Sequence, residues 1–195
     1  MSRIGVAIAL LLVLGLIAFA SIVHVTGPGW SGTAPDAGPR IARATPSAGA
    51  LMIPVQGVAP AALTDSWADP RGAGTRVHHA IDIMAPTGTA VLAAANGRIE
   101  KLFESALGGH TIYERSADGG TVYYYAHLDR YAPTLVAGQA VRAGQVIAAV
   151  GSSGDADPGA PHLHFEVHRM GAGEGWWQGA EVNPYPLLAG NAAAR

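Results

Sequence analysis

The chain has 195 residues, contains no cysteine and carries a formal net charge of −2 at pH 7. This length allows one well-buried domain with an appendage. The lack of cysteine excludes disulfides, thiolate zinc sites and cysteine nucleophiles, so any metal must be bound by His, Asp or Glu. The charge and the absence of a basic cluster argue against nucleic acid as a partner.

An uncharged apolar run, IGVAIALLLVLGLIAFASIV, occupies residues 4–23. About 20 residues is the length that a helix needs to cross ~30 Å of hydrocarbon, so we expect residues 1–23 to be a transmembrane anchor or a signal segment. Arg3 precedes the run and the next basic residue is Arg40, which places the N-terminus in the cytoplasm and the rest outside. The sequence AFA at 18–20 resembles a signal-peptidase site, and cleavage there is the alternative to the retained anchor that we favour.

Residues 24–50 are rich in Gly, Pro, Ser, Thr and Ala without an apolar period, which is typical of a flexible linker. We expect the folded domain at residues 51–190 and a short tail at 191–195. Short stretches of β-branched and aromatic residues predict a mainly β fold, a compact antiparallel sheet or sandwich. The sequence DGG at 118–120 predicts a hairpin turn. The stretches are residues 91–93, 97–103, 110–115, 121–128 and 141–151, followed by a histidine-containing strand at 161–167.

That last strand reads PHLHFEV and has two chemically different faces. Because side chains alternate along a strand, His162, His164, Glu166 and His168 share one face and the apolar residues share the other. Imidazole is the commonest side-chain metal ligand and is suited to proton transfer near neutral pH, so the polar face indicates a metal site. Strand geometry alone leaves both His162 and His164 as candidate ligands.

A second cluster, VHHAIDI at 77–83, precedes this strand. In a regular strand His78 and Asp82 would lie roughly 13 Å apart, too far for two ligands of one ion, so the chain is predicted to bend between them. A catalytic zinc typically takes three protein ligands and a water. Two ligands from this cluster and one from His162 or His164 complete such a set.

With its further motifs the chain resembles a known family, the LytM/lysostaphin-type zinc endopeptidases of the M23 peptidase class, which cleave peptides in bacterial cell walls. The resemblance covers about residues 51–188, and several motifs occur in the family's order. These motifs are DSWADPR at 65–71, HHAID at 78–82, APTGT at 85–89, AANG at 94–97, YAHL at 125–128, GQVI at 144–147, GSSG at 151–154, PHLHFE at 161–166 and NP at 183–184.

The resemblance implies a LytM-like, duplicated-hybrid-motif fold and a site for one Zn²⁺ ion. It implies that His78, Asp82 and His164 are the zinc ligands, because the second histidine of the family's His-x-His motif binds the metal. It also implies that His127 and His162 are unligated catalytic histidines beside the metal. Such an arrangement activates a water on zinc, while imidazole takes the proton and delivers it to the leaving amine.

Other polar residues near these motifs are not expected to take part in catalysis. Ala80 stands where the family usually has Gly, which affects the local turn but removes no ligand. We expect surface, structural or supporting positions for His79, His110, Asp155, Asp157, Glu166 and His168.

These observations predict an exported zinc endopeptidase that hydrolyses stem or cross-link peptides of bacterial peptidoglycan. We expect a monomer attached to the inner membrane through residues 4–23, with its catalytic domain in the periplasm or outside the cell, or secreted after signal cleavage. The alternative is a catalytically inactive LytM-like module that binds the wall or activates another hydrolase, but all five expected positions are filled here. A lipoyl or biotinyl carrier, suggested by VRAGQVI at 141–147, is disfavoured because the only lysine, Lys101, lies outside any Met-Lys motif.

Overall fold

The computed structural model describes residues 51–71 and 74–190, which form a domain built mainly from antiparallel strands. A 3-10 turn at Pro60–Ala62 and helix α1 (Tyr185–Ala189) are its helical elements among these residues. The strands are β1 (Pro70–Arg71), β2 (Arg76–Val77), β3 (Ile81–Met84), β4 (Ala90–Leu92), β5 (Gly97–Ser105), β6 (Gly109–Ser116), β7 (Thr121–Tyr131), β8 (Ala140–Val141), β9 (Val146–Val150), β10 (His162–Arg169) and β11 (Ala180–Val182).

The predicted mainly β fold is confirmed, and β5, β6, β7 and β10 correspond to predicted strands. The predicted stretch at 141–151 is interrupted, because the chain turns after β8. In this turn the N–H of Gln145 donates to Arg142 O at 2.9 Å. Gly144 has a φ of 79°, a conformation that glycine adopts without steric penalty. The resumed strand is β9.

Three predicted segments lie outside the described residues: the transmembrane or signal segment at 1–23, the linker at 24–50 and the tail at 191–195. Within residues 51–71 and 74–190, no helix is long and apolar enough to cross a membrane. The anchor, the linker and the tail therefore stay predictions.

Of the described strands, nine form one sheet, and β1 pairs with β2 in a separate hairpin. The main path through the sheet is β11-β10-β7-β6-β5-β8. β10 lies at its centre, because one edge pairs with β7 while the other pairs first with β3 and then with β11. β7 pairs with β10 and β6 and, beyond His127, with β9. His127 has a positive φ of 58°, so the strand changes direction where it changes partner.

The alternation along β10 separates the hydrophobic core from a polar face. Leu163, Phe165 and Val167 are at most 1% exposed, whereas His162, His164 and Glu166 are only partly buried. Burial of each such apolar side chain stabilises the fold by roughly 1.5–3 kcal/mol. The two predicted faces of this strand are thus confirmed. The same core includes Val55, Ile81, Ile83, Val91, Ile112, Tyr125, Leu128 and Ile147.

Candidate metal centre

Two adjoining strands and the bend before one of them bring three candidate ligands together. Asp82 on β3 pairs directly with His164 on β10, and directly opposed side chains in a sheet lie close enough to interact. His78 lies between β2 and β3, and the chain bends at the buried Ala80 before β3 begins. The predicted bend between His78 and Asp82 is therefore confirmed.

One atom of each residue contributes to a compact triangle. His78 Nε2 lies 3.1 Å from Asp82 Oδ1 and 3.1 Å from His164 Nδ1, and the last two atoms are 3.2 Å apart. Ligands at 2.0–2.1 Å from a tetrahedral zinc lie about 3.3–3.4 Å from one another, so these atoms fit a single ion. Two imidazoles and one carboxylate are also a donor set that zinc accepts, with a fourth position left for water.

Hydrogen bonds determine which nitrogen of each histidine faces the triangle. His78 Nδ1 lies 2.8 Å from the carbonyl oxygen of Ser66, to which its N–H donates. His164 Nε2 lies 2.9 Å from Glu166 Oε1, to which its N–H donates. In the neutral tautomers that these contacts select, His78 Nε2 and His164 Nδ1 carry the lone pairs that face the triangle, and a metal would take the place of any proton held there. Partners of this kind orient ligands and increase their basicity.

The carboxylate of Asp82 is held in a similar way. The guanidinium of Arg71 donates to Asp82 Oδ2, and the backbone N–H of Asp82 donates to Ser66 Oγ at 3.0 Å. Oδ1 is thus the oxygen that faces the histidines. Burial tends to raise the pKa of Asp82, but hydrogen bonds from His164 and His78, with their charges, lower it well below its ordinary value. Asp82 is ionised at neutral pH.

Glu166 links the candidate ligand to a further histidine. Its Oε2 accepts a hydrogen bond from His168 Nε2 at 2.7 Å. Burial raises the pKa of Glu166, but the hydrogen bonds from His164 and His168 outweigh it and lower the pKa to about 2. Burial likewise lowers the pKa of His164, but its hydrogen bonds to Asp82 and Glu166 outweigh this and raise it to about 9. Glu166 is therefore a carboxylate over the whole neutral range.

Two other histidines lie beside the triangle without belonging to it. The ring centroids of His127 and His162 are 5.0 Å apart, and His162 Nε2 is 3.8 Å from Asp82 Oδ1. His127 Nδ1 lies 2.8 Å from Ser153 O, and His162 Nδ1 lies 2.9 Å from Ala160 O. Each ring therefore donates its Nδ1–H to a backbone carbonyl and keeps a lone pair on Nε2.

The position of His127 depends on the change of direction in β7. Its backbone N–H donates to Gly108 O at 2.8 Å, which stabilises a left-handed conformation that costs a non-glycine residue about 1–2 kcal/mol. Burial, together with the charges of nearby His164 and His162, lowers its pKa against the opposing contact with Ser153. His127 is therefore neutral at pH 7 and can accept a proton.

A groove of about 300 Å³ lies over these residues. The N–H of Asp155 donates to Leu107 O at 3.0 Å, which joins the two loops on one side of it. Arg76 pairs with Asp155 at 3.7 Å across its mouth. Residues lining the groove are Arg71, Arg76, Val77, His78, His79, Leu107, Gly108, Tyr124, Ala126, His127, Asp155, His164, Glu166 and Glu181.

The structure brings all five predicted site residues together. Two histidines not expected to take part have other partners: His79 lines the groove but stacks on Trp67 and pairs with Glu181, and His110 lies 3.5 Å from Glu104. His168, also assigned no catalytic role, is connected to His164 through Glu166. The predicted residues, placed in one cluster, are His78, Asp82, His127, His162 and His164.

Several supporting residues received no individual role from the sequence. Ser66 and Arg71 lie within the DSWADPR motif, which was the only signal that pointed to them. Ser153 acts on His127 through its backbone carbonyl, and backbone contacts carry no residue signature. Tyr124 lies edge-on to His164 at 6.1 Å between ring centroids. This contact follows from the pairing of β7 with β10, which the sequence does not show.

Comparison with known proteins identifies the family. Residues 76–184 match the sequence model of Peptidase family M23. The L-Ala--D-Glu endopeptidase of Bacillus subtilis (strain 168) is 36% identical over 129 residues, which are 63% of this chain and 38% of that protein. The peptidoglycan DD-endopeptidase ShyC of Vibrio cholerae is 33% identical over 91 residues, 47% of this chain and 20% of that protein. The chain thus spans less than half the length of these relatives.

Solved structures show the same similarity. The catalytic domain of lysostaphin from Staphylococcus simulans superposes with a TM-score of 0.55 at 28% identity, over 65% of this chain and 90% of that domain. The catalytic domain of the M23 protein EnpA from Enterococcus faecalis superposes with a TM-score of 0.51 at 31% identity, over 63% of this chain and 87% of that domain. Both agree with the predicted LytM/lysostaphin-type fold. With more than half of its length matched by the family model, the chain belongs to peptidase family M23.

Proposed function

We propose that this protein is a zinc-dependent endopeptidase that hydrolyses peptide bonds in the stem or cross-link peptides of bacterial peptidoglycan. The observation that carries the proposal is the triangle of His78, Asp82 and His164 atoms beside two histidines with free Nε2 lone pairs. M23 peptidases are zinc metallopeptidases, and two relatives are named as an L-Ala--D-Glu endopeptidase and a peptidoglycan DD-endopeptidase.

In this proposal His78 Nε2, Asp82 Oδ1 and His164 Nδ1 hold one Zn²⁺ ion. The ion supplies a water of lowered pKa and polarises the scissile carbonyl. The chain's own part is to keep these three atoms together. The carbonyl of Ser66 orients His78, while Arg71 takes the second oxygen of Asp82, which leaves the first for the metal.

In this proposal His127 and His162 accept and donate the protons of the reaction. When neutral, neither ring carries a proton on Nε2, because Nδ1–H is donated to Ser153 O or Ala160 O. One of the two histidines therefore takes the single proton that the attacking water releases, at Nε2, and its imidazolium then donates that proton to the leaving amine. The other stabilises the oxyanion only in its protonated form, through an Nε2–H.

The same proposal places the domain in the cell envelope. The apolar run at residues 4–23 supports export, with the chain held to the inner membrane as a monomer or released after signal cleavage. The inactive, wall-binding alternative is disfavoured, because every donor of a working site is present and oriented.

The test compares purified wild type with His164→Ala on purified peptidoglycan, with released fragments identified by mass and bound zinc measured by elemental analysis. We expect His164→Ala to lose zinc and cleavage together. His110→Ala, which removes a histidine paired with Glu104 away from the triangle, should retain both. Cleavage retained in His164→Ala would contradict the assignment.

A further inference from the structure

Three polar side chains follow one another at every second residue of β10 and are joined by hydrogen bonds. Both oxygens of Glu166 are occupied, Oε1 by the Nε2–H of His164 at 2.9 Å and Oε2 by the Nε2–H of His168 at 2.7 Å. The side chains of His164, Glu166 and His168 are 17%, 20% and 12% exposed. The carboxylate is thus largely shielded from water and has an imidazole on either side.

The His164 contact bears directly on metal binding. A neutral imidazole binds a metal through the nitrogen that lacks a proton, so coordination by His164 Nδ1 requires the proton on Nε2. A carboxylate that accepts this N–H selects that tautomer, fixes the plane of the ring and increases the electron density on Nδ1. Glu166 Oε1 stands in the required place.

The His168 contact bears on the carboxylate itself. A glutamate side chain has three rotatable bonds, and a single hydrogen bond leaves the carboxylate free to rotate about its contact. The backbone of His168 pairs with Val122 on β7 and with Glu181 on β11. Strands hold the backbone of His168 on both edges, and its ring is largely buried with Nε2 2.7 Å from Glu166 Oε2, so it is a well-placed donor to that oxygen.

We propose that Glu166 and His168 are positioning residues of the metal centre: Glu166 holds His164 in the tautomer and orientation that bind zinc, and His168 holds Glu166. The inference rests on the proposed metal site and adds two residues to it. On this face of β10, His164 would bind the metal, Glu166 would contact His164, and His168 would contact Glu166.

The chain offers a matched control. Glu104 on β5 also lies beside a histidine, at 3.5 Å from His110, but this pair is more exposed and touches none of the three candidate ligands. Removing Glu104 therefore deletes a carboxylate–histidine pair on the same sheet without affecting the metal centre.

The experiment measures zinc affinity of the full chain by competition with a chromophoric chelator, beside thermal unfolding of the metal-free proteins. We expect Glu166→Ala to weaken zinc binding about 10- to 100-fold. Glu166→Gln retains an acceptor for His164 and should recover most of the loss. His168→Phe keeps the ring volume but removes the N–H, and should weaken binding by less than Glu166→Ala does. Glu104→Ala should bind zinc like wild type.

A second measurement separates positioning from a general loss of structure. In zinc-loaded wild type, long-range ¹H–¹⁵N spectra should show His164 protonated at Nε2, with a slowly exchanging proton; in Glu166→Gln that proton should exchange faster. Unchanged zinc affinity in folded Glu166→Ala would overturn the inference. If Glu166→Ala does not fold, an unchanged exchange rate of the His164 Nε2 proton in Glu166→Gln, together with unchanged zinc affinity in His168→Phe, would overturn it. Zinc retained by His164→Ala would instead overturn the proposed metal site, so the two failures are distinguishable.

Discussion

At the scale of single residues, hydrogen-bond partners determine which nitrogen each histidine of the site presents. His164 donates from Nε2 to Glu166 and presents Nδ1 to the triangle. His127 and His162 donate from Nδ1 to backbone carbonyls and present Nε2. His78 also donates from Nδ1 to a backbone carbonyl, so its place in the triangle with Asp82 and His164, and not its tautomer, separates this candidate ligand from the two candidate bases.

Replacing His127 or His162 by alanine tests this division. Each substitution removes a proton acceptor but no ligand, so we expect kcat to fall by about 10²- to 10⁴-fold with zinc stoichiometry unchanged. Hydrolysis rates on peptidoglycan fragments and zinc content per chain provide the measurement. Loss of zinc from either variant would mean that the histidine is a ligand, and wild-type rates would remove it from the mechanism.

The residue types of the site could be predicted from the sequence, whereas their orientations could not. His78, Asp82 and His164 are visible as motifs, and the alternation of β10 separates its polar and apolar faces. The acceptors that select each tautomer are largely backbone carbonyls, such as those of Ser66 and Ser153, which every residue possesses. Only the tertiary fold determines which carbonyl faces which ring.

At the scale of elements, two loops on one side of the groove approach each other closely at glycine residues, which have no Cβ. Gly154 has a φ of 77°, and a Cβ added there would lie 2.1 Å from Leu107 O and 2.4 Å from Gly109 N. This contact positions the neighbouring Ser153, whose carbonyl holds His127. The sequence predicted β7 as far as residue 128, whereas the strand continues to Tyr131. The change of direction was not predicted, because a positive φ at a non-glycine residue such as His127 leaves no trace in the pattern.

Gly154→Ala should therefore separate these loops and impair catalysis without removing the metal. Gly119 provides the matched control, because its φ of 78° imposes the same backbone strain but nothing lies within 4 Å of an added Cβ. We expect both variants to lose thermal stability, by about 2–4 °C per kcal/mol of strain. Only Gly154→Ala should lose activity, roughly 10-fold or more, because His127 loses its orientation. Equal activity in the two variants would show that the close approach of the loops is unimportant.

At the scale of the whole molecule, the core behind the polar face contains a buried acid. Glu114 on β6 is 0% exposed, and its Oε2 accepts a hydrogen bond from the hydroxyl of Tyr125 at 2.5 Å. That hydroxyl in turn accepts the N–H of Ala94 at 2.9 Å. Oε1 has no hydrogen-bond partner within residues 51–71 and 74–190. Burial raises the pKa of Glu114 to about 7, against the opposing hydrogen bond of Tyr125 and the nearby backbone N–H groups of Ala94 and Ala95.

This acid should make global stability depend on pH. The pKa of Glu114 is about 7 in the folded chain and 4.5 when unperturbed, so between these values the folded state keeps a proton that the unfolded state releases. The free energy of unfolding should therefore fall as pH rises from 4.5 to about 7. Above pH 7 Glu114 is ionised in both states and should cause no further change. At about 1.4 kcal/mol per pKa unit, the contribution is at most ~3.5 kcal/mol.

Denaturant unfolding of the metal-free protein across this range, beside Glu114→Gln, isolates that contribution. The amide cannot ionise, so the decline with pH should be smaller in the variant by the share that Glu114 contributes. The quantity to compare is the slope of the unfolding free energy against pH. The amide group of the variant places an N–H where Oε1 has no partner, and this unsatisfied donor lowers stability by about 1–3 kcal/mol at every pH. Contributions common to both proteins cancel in the difference. Parallel pH profiles would mean that the pKa of Glu114 is the same in the folded and unfolded states. Polar contacts other than that of Tyr125 would then have to stabilise the buried carboxylate.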